Sequence, residues 1–351
     1  MYYIIAVIAF GMLIAVHEIG HFAAARLMGV RVLELAVGMG PKLLQKQGKE
    51  TLYTLRVFPF GGFCSMEEDE EAKDERSFSA KNRKRRVFIL AAGGLANLLA
   101  AFIIVIILVT QLNGFVSPTI SGLADGFPGE GERGLMAGDR IISINGERLY
   151  YADDFSLFMG LAEGPYVDLV VQRNGESIRL NRFPLERREY MTGGEMRFRY
   201  GIDFTVVNNS LWEGTKYSCY MTMNFVRLVR ISLGQLINGS AGVRDLAGPV
   251  GMVDMINTVG QESPTTAAAL GNIAGFMALI GVNIAVLNLL PIPAMDGGRI
   301  FFIFITWGIE KITRRRLNPK YEGYIHYGAL VLLLGLMVFV LFNDVARILN
   351  G

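Results

Sequence analysis

The stretch VHEIGHFAAARLMG, residues 16–29, lies inside an apolar run that begins at Met1. It carries three polar side chains, His17, Glu18 and His21, within five residues. Ionisable groups are costly in hydrocarbon, so their presence inside a membrane segment indicates a functional site. In a helix, positions i and i+4 differ by about 40° around the axis, so the two histidines share one face. Two imidazoles placed in this way can hold a metal ion, and Glu18 can reach a water on that metal without being a ligand.

The composition places this motif in an integral membrane protein. The chain has 351 residues, of which 52% are hydrophobic and 19% charged, and its mean hydropathy is +0.36. These values favour a membrane protein over a soluble one. Spanning helices of about 20 residues are predicted at residues 1–25, 87–112, about 267–291 and about 327–345. The first run lacks a basic leader and a cleavage site, so we expect a retained helix. The net charge of +2 argues against a nucleic-acid partner.

Basic residues predict the orientation of the chain. Residues 26–86 contain 13 Lys and Arg, and residues 299–320 contain six. Loops rich in Lys and Arg stay on the cytoplasmic side of a membrane, whereas long domains are translocated regardless of charge. Both basic segments are therefore predicted to be cytoplasmic, and the insert at 113–266 is predicted to lie outside.

The insert is predicted to have two parts. Residues 113–207 are soluble in character, with strand-like runs and turns at Asn145-Gly146 and Asn174-Gly175. The stretch GLMAGDRIISINGERL, residues 134–149, resembles a PDZ domain, a β-rich module that binds peptide ends or strands at a sheet edge. A spacer without a ligand is the alternative. Residues 208–262 are predicted to form an amphipathic segment on the outer membrane surface, because arginines in mid-helix disfavour a span.

A zinc site needs a third protein ligand, and two residues are candidates for it. Asp296 lies in NLLPIPAMDGGR, residues 288–299, where Pro291 and Pro293 break the helix and Gly297-Gly298 are expected to let the backbone bend. Irregular backbone at membrane depth is tolerated where it lines a cavity. His326, near the start of the last span, is the other candidate. The helix break favours Asp296.

Three segments together resemble the site-2 intramembrane metalloproteases, in particular the bacterial regulated-proteolysis branch with one PDZ domain. They are HEIGH at 17–21, NLLPIPAMDGG at 288–298 and the PDZ-like insert. The resemblance implies that His17, His21 and Asp296 are zinc ligands and that Glu18 is the catalytic acid and base.

Further features follow from the same resemblance. Asn97 and Asn288 correspond to asparagines that help to hold the substrate, although Gly94 replaces the proline of the family's usual Gly-Pro-x-x-Asn. The stretches GMGPKLL at 38–44 and VFPFGGFCSM at 57–66 resemble a cytoplasmic β-hairpin that dips into the membrane, at about 31–66.

The sequence thus predicts a polytopic α-helical membrane protein with four transmembrane helices, a membrane-dipping β-hairpin and an inserted PDZ-like domain. The predicted divisions are 1–112, 113–207, 208–262 and 263–351. The predicted function is zinc-dependent cleavage of single-span membrane proteins, such as anti-sigma factors or remnant signal peptides. We expect it in the bacterial cytoplasmic membrane, with the active site towards the cytoplasmic leaflet. The alternatives are a catalytically silent PDZ-bearing binding protein with a structural metal site, and a metal transporter.

Overall fold

A computed structural model describes residues 2–67, 74–192, 195–240, 242, 248–314 and 319–350. The chain divides into two compact units, Met1–Leu108 with Met221–Gly351, and Val109–Tyr220. The helices are α1 Tyr2–Leu27, α2 Arg83–Val109, α3 Ala152–Leu161, α4 Leu211–Ile237, α5 Pro249–Glu262, α6 Thr266–Leu289, α7 Asp296–Thr313 and α8 Pro319–Asn350. The strands are β1 Val32–Gln47, β2 Leu52–Met66, β3 Gly114–Leu123, β4 Arg140–Ile144, β5 Glu147–Arg148, β6 Tyr166–Arg173, β7 Glu176–Pro184, β8 Arg188–Thr192, β9 Glu195–Arg199 and β10 Ile202–Asn208.

Four helices of the described chain are long and apolar enough to cross a membrane. They are α1, α2, α6 and the part of α8 from Gly323 to Asp344. This confirms the predicted number of spans, and the helix ends differ from the predicted ends by a few residues. The predicted helix in the segment 208–262 is present as α4, and a second helix, α5, follows it. Residues 243–247, between the two, lie outside the described residues.

Helix α1 is the centre of the first unit, because two apolar clusters form along it. In the first cluster, Ala6, Phe10 and Leu13 of α1 pack with Ile256 of α5 and Ile280 of α6. In the second, the end of α1 packs with the start of β1, with α2 and with α7, through Ala24, Ala25, Val30, Val32, Ile89, Leu90 and Ile303. The polar residues of the opening motif lie between the two clusters, so rigid packing above and below holds them.

Strands β1 and β2 pair with each other and each doubles back on itself, so that residues 34–37 run parallel to 52–55 while the other paired segments are antiparallel. The first half of β1 pairs with both ends of β2, so that Leu35 lies opposite both Cys64 and Tyr53. The second half of β1 pairs with the start of β2, from Lys42 opposite Arg56 to Gln47 opposite Leu52. The order of segments is therefore 42–47, 52–56, 32–37 and 62–66. Residues 62–66 form one edge of this small sheet.

The second unit is rich in β-structure. Its main sheet has the order β10-β3-β4-β6-β7, β5 pairs with β4, and β8 pairs with β9 as a separate ribbon. The predicted turns are confirmed, because Asn145, Gly146, Asn174 and Gly175 all have positive φ, as tight hairpins require. The unit extends beyond residue 207 to Tyr220.

The start of α4 is part of this unit because aromatic side chains attach it to the sheet. The Tyr217 ring stacks on Phe115 with centroids 4.5 Å apart, and Tyr220 stacks on Tyr150 at the same distance. Aromatic packing in this unit therefore continues past the predicted boundary at residue 207 into the start of α4.

The expected bend at Gly297-Gly298 is wrong. Asp296 is the first residue of helix α7, and both glycines lie in its first turn. A side-chain carbon at Gly297 would overlap the backbone of Leu289 and Leu290, where α6 ends. The glycines are needed because the start of α7 packs directly on the backbone of the preceding loop, not because the chain bends there.

Candidate metal centre

Helix α1 places His17 and His21 on one face, one turn apart. Their Nε2 atoms lie 3.2 Å apart, and their rings meet edge to face with centroids 4.7 Å apart. The His21 side chain is 8% exposed and that of His17 is 12% exposed. Both imidazoles therefore lie in a nearly closed environment within an apolar helix.

Asp296 joins the two histidines from the start of α7. Its Oδ2 atom lies 3.1 Å from Nε2 of His21 and 3.3 Å from Nε2 of His17. The carboxylate is at the first position of a helix, where the helix dipole favours a negative charge. Among the described residues, these three form the one group of His, Cys, Asp or Glu whose arrangement could hold a metal ion.

The hydrogen bond on the far side of His21 determines its tautomer. Nδ1 of His21 lies 2.9 Å from the carbonyl oxygen of Ile89, so it must donate a proton there. Nε2 of the neutral ring then presents a lone pair towards Asp296. A ligating histidine is commonly oriented by such a bond from its other nitrogen.

The three atoms fit a tetrahedral metal ion. Zinc bonds of about 2.0–2.1 Å place two tetrahedral ligand atoms roughly 3.3 Å apart. The observed separations are 3.1, 3.2 and 3.3 Å. Buried lone pairs and a carboxylate at this spacing repel one another unless a cation lies between them.

Gly93 of α2 leaves room beside these ligands. A side-chain carbon at this position would overlap Nε2 of His21 and lie 2.8 Å from Nε2 of His17. The space next to the two nitrogen atoms therefore exists because residue 93 has no side chain. The two histidines and Asp296 thus supply suitable donor atoms, and Gly93 keeps the adjacent space open.

Glu18 lies at the edge of the small β-sheet. The backbone amide of Cys64 donates a hydrogen bond to its carboxylate. A side-chain carbon at Gly62 would lie 3.0 Å from Cγ of Glu18. The edge segment 62–66 is therefore next to Glu18, and Glu18 is not one of the three convergent ligands.

The structure separates His326 from the three ligands. Its Nδ1 atom accepts a hydrogen bond of 2.8 Å from the backbone amide of Ala294, in the loop between α6 and α7. Its ring is 5.2 Å from that of Phe302. The two candidates for the third ligand thus have different positions, and Asp296 is the one beside His17 and His21.

The predicted substrate-holding asparagines lie on two different helices. Asn97 on α2 is fully buried, and neither its amide nitrogen nor its oxygen has a hydrogen-bond partner among the described residues. Asn288 is half-buried near the end of α6. Their role in holding a substrate remains a prediction.

Three contributors to the site escaped the sequence analysis. Ile89 and Cys64 contribute through backbone atoms. Because every residue has these atoms, the residue type does not predict such contacts. Gly93 has a weak signal, since two consecutive glycines inside a predicted span suggest close packing.

Known proteins are similar to this chain over nearly its whole length. The sequence profile of "Peptidase family M50" matches residues 5–336. A protein of Clostridium perfringens named "Putative zinc metalloprotease" is 35% identical over 348 residues, with 98% of both chains covered. The "Regulator of sigma-W protease RasP" of Bacillus subtilis is 26% identical over 430 residues, with 97% of both chains covered. The "Zinc metalloprotease RasP" of Bacillus licheniformis is 25% identical, with 97% of this chain and 98% of the relative covered.

Proposed function

Because the chain belongs to peptidase family M50, the zinc metalloproteases of the site-2 type, we propose that it cleaves transmembrane segments of single-span membrane proteins. It is a multi-pass membrane protein with zinc as its cofactor. One observation carries the proposal: Asp296 converges with His17 and His21, which lie beside Glu18 on a helix long and apolar enough to span a membrane. A hydrolytic centre at that depth can reach peptide bonds that soluble proteases cannot reach.

We assign zinc binding to His17, His21 and Asp296. Two neutral imidazoles and one carboxylate leave a bound zinc ion with a net positive charge, and a fourth position is needed for water. When bound at such a site, zinc polarises a water molecule and lowers its pKa towards about 7. The Ile89 carbonyl oxygen orients the His21 ring for this task.

Glu18 is the general base and then the general acid. Its carboxylate takes the proton from the attacking water as that water adds to the scissile carbonyl carbon. Glu18 returns the proton to the leaving amine as the carbon–nitrogen bond breaks. The amide of Cys64 holds the carboxylate in position between these two steps.

The substrate must be extended at the site, because a helical peptide bond is shielded by its own helix. The edge segment 62–66 supports a way to hold it, since an extended chain can add to the edge of a sheet. This edge is next to Glu18, and its other side pairs with β1. Asn97 and Asn288 are assigned to the same task, with the buried amide of Asn97 available for a partner.

We propose anti-sigma factors or remnant signal peptides as substrates. The name of the Bacillus subtilis relative, a regulator of sigma-W, supports the first class. The β-rich unit at 109–220 is proposed to be a PDZ-like domain that binds a peptide or protein ligand. Exposed apolar residues of the small sheet, such as Leu43, Leu44 and Phe58, support contact between that sheet and lipid.

The proposed location is the bacterial cytoplasmic membrane. The basic segment 26–86 faces the cytoplasm, the β-rich unit lies outside, and the active site lies towards the cytoplasmic leaflet. A reporter fused after residue 205 should therefore read as extracytoplasmic. A cytoplasmic signal from that fusion would reject the orientation.

The decisive experiment uses the purified full chain and Glu18→Gln. Bound zinc is measured in both proteins, together with cleavage of a single-span reporter. We expect both proteins to hold zinc and only the wild type to cleave. If the wild type binds zinc without cleaving any transmembrane reporter, the alternative of a silent binding protein is favoured. Passage of zinc through wild-type proteoliposomes would favour a transporter.

A further inference from the structure

The loop between α6 and α7 has an unusual backbone two residues before Asp296. Ala294 has φ of +74°, in the left-handed region that residues with a side chain rarely adopt. Such a conformation persists when surrounding contacts hold it. A long-range contact adds to the local turn at Ala294, because its backbone amide donates to Nδ1 of His326 at 2.8 Å, 32 residues further along the chain.

The loop closes this turn with one hydrogen bond of its own, across Pro293 and Ala294, and the positive φ of Ala294 is that of the second central residue of a type II turn. Pro291 and Pro293 have no backbone N–H to donate. The amides of Ile292 and Met295 bond within the loop, to the carbonyl oxygens of Leu290 and Ile292. The amide of Ala294 instead bonds to a side chain on α8. His326 therefore connects α8 to the turn that leads into Asp296.

We propose that His326 is a positioning residue for the metal centre. Its Nδ1 atom fixes the turn at Ala294 and thereby directs the carboxylate of Asp296 towards His17 and His21. This inference rests on the proposed function only in taking Asp296 as a zinc ligand. The accepting nitrogen must carry a lone pair, so the ring is the neutral tautomer with its proton on Nε2.

The remainder of α8 packs little against the rest of its unit. Only 6% of the residues in its membrane-length stretch are buried. A second polar contact lies towards its other end, where the buried Asp344 accepts from the amides of Gly248 and Gly251 at 3.2 and 2.8 Å. Eighteen residues of helix separate His326 from Asp344, which is about 27 Å. Loss of the Asp344 contact therefore provides a control that leaves the Ala294 turn in place.

The test measures zinc release from the full chain in detergent, without reference to proteolysis. Wild type, His326→Leu, His326→Asn and Asp344→Ala are loaded with zinc and challenged with a chelator. Loss of a group that orients a ligand typically costs about 10- to 100-fold in metal affinity. We expect His326→Leu to release zinc at least about tenfold faster than wild type. Asn places an oxygen acceptor where Nδ1 stands, so His326→Asn should restore most of the retention.

Two further measurements distinguish a role of His326 in positioning Asp296 from a general contribution to the stability of the fold. Asp344→Ala should lower the thermal stability while zinc release stays close to the wild-type rate. Cobalt-substituted His326→Leu should have an altered visible spectrum, because the ligand geometry around the ion changes, and His326→Asn should resemble wild type. If His326→Leu does not fold, Ala294→Gly in that background removes the strained turn and should recover zinc binding.

Three results would reject the positioning role of His326. Wild-type zinc release from folded His326→Leu would overturn it, as would equally fast release from folded His326→Asn and His326→Leu. Failure of Ala294→Gly to recover zinc binding in a folded double variant would also count against it. A wild-type chain that binds no zinc overturns the proposed function and this inference together, whereas zinc-bound wild type with insensitive His326 variants overturns only the inference.

Discussion

Two carboxylates, the buried Asp139 in the β-rich unit and the partly buried Asp296 in the first unit, have opposite surroundings. Both oxygens of Asp139 accept from the guanidinium of Arg173 at 2.7 Å, and one also accepts from the amide of Met136. Arg173 donates further to the carbonyl oxygens of Glu132 and Gly134. Charge and hydrogen bonds are therefore balanced inside the protein, and this cluster holds the loop before β4 in place.

The partners of Asp296 do not balance it in this way. Oδ2 of Asp296 faces the Nε2 atoms of His17 and His21, and the bond to Ile89 leaves a lone pair on the His21 atom. A largely enclosed cluster of acceptors needs a proton or a metal cation from outside the chain, whereas an acid paired with a guanidinium does not. The balance of donors and acceptors, and not burial or charge alone, therefore separates a binding site from a structural ion pair.

The largest expected effect is on catalysis and separates the metal ligands from Glu18. His17→Ala should lose both zinc and cleavage, because it removes one of three protein ligands. Glu18→Gln should keep zinc and lose about 10²–10⁴-fold in cleavage rate, the usual contribution of a general acid and base. Zinc content by elemental analysis and reporter cleavage are the measurements. Near wild-type hydrolysis by Glu18→Gln would place the acid–base role on another residue.

The next effect tests the space beside the ligands. Gly93→Ala should lose zinc and cleavage, because the added carbon would overlap Nε2 of His21. Gly275→Ala is the matched control, since the nearest atom to its added carbon is Cδ1 of Leu108 at an ordinary 3.6 Å. Zinc content and thermal unfolding are compared for the two variants. Full zinc occupancy in Gly93→Ala would show that the metal does not use this space.

A smaller effect is expected at the ion pair of Asp139 and Arg173, and it should change the stability of the protein but not zinc binding. Arg173→Ala leaves the Asp139 carboxylate buried without its cation, which we expect to cost about 3 kcal/mol in the free energy of unfolding. That value is at the lower end for broken buried pairs, because the Arg173 side chain keeps 16% exposure. Hydrogen exchange across 109–220 should report the loss, while zinc content stays unchanged. Zinc loss in Arg173→Ala would remove the distinction between the two carboxylates.

Arg188→Ala is the control for that measurement. Arg188 pairs with Glu186 with both side chains nearly half exposed, so its removal should change hydrogen exchange little. A similar loss of protection in both variants would show that burial of the Arg173 pair does not matter.

The smallest effect concerns an exposed pair at the tip between β1 and β2. Arg76 donates to both oxygens of Glu50, at 2.7 and 2.8 Å, and lowers the pKa of Glu50 from 4.5 to about 2. A lowered pKa means that the pair stabilises the folded protein above pH 4.5 and that this contribution is lost as the pH falls towards about 2. Glu50→Gln should therefore unfold at a slightly lower temperature than wild type at neutral pH. The difference should disappear over that acidic range, and a constant difference would contradict it.

Features that depend on local periodicity and composition can be predicted from the residues alone. Helical spacing put His17 and His21 on one face, the lengths of apolar runs predicted four spans, and Asn-Gly pairs predicted two tight turns. The shared helix face and the tight turns depend on residues that are close together in the sequence. The number of spans depends on the length of apolar helix that a bilayer requires. The sequence also predicts the helix break before Asp296. The two glycines after it allow close packing on the preceding loop and do not form the expected bend.

Contacts between groups far apart in the sequence are defined by the three-dimensional packing of the chain. His21 and Asp296 are 275 residues apart, and His326 and Ala294 are 32 apart, so no local pattern relates them. The doubling of β1 and β2, which turns residues 62–66 into an edge beside Glu18, also depends on long-range pairing. Backbone donors and acceptors such as the Ile89 carbonyl and the Cys64 amide are present at every residue. The packing of the chain determines which of these backbone groups contact the site. The identity of the side chain at that residue does not reveal the contact.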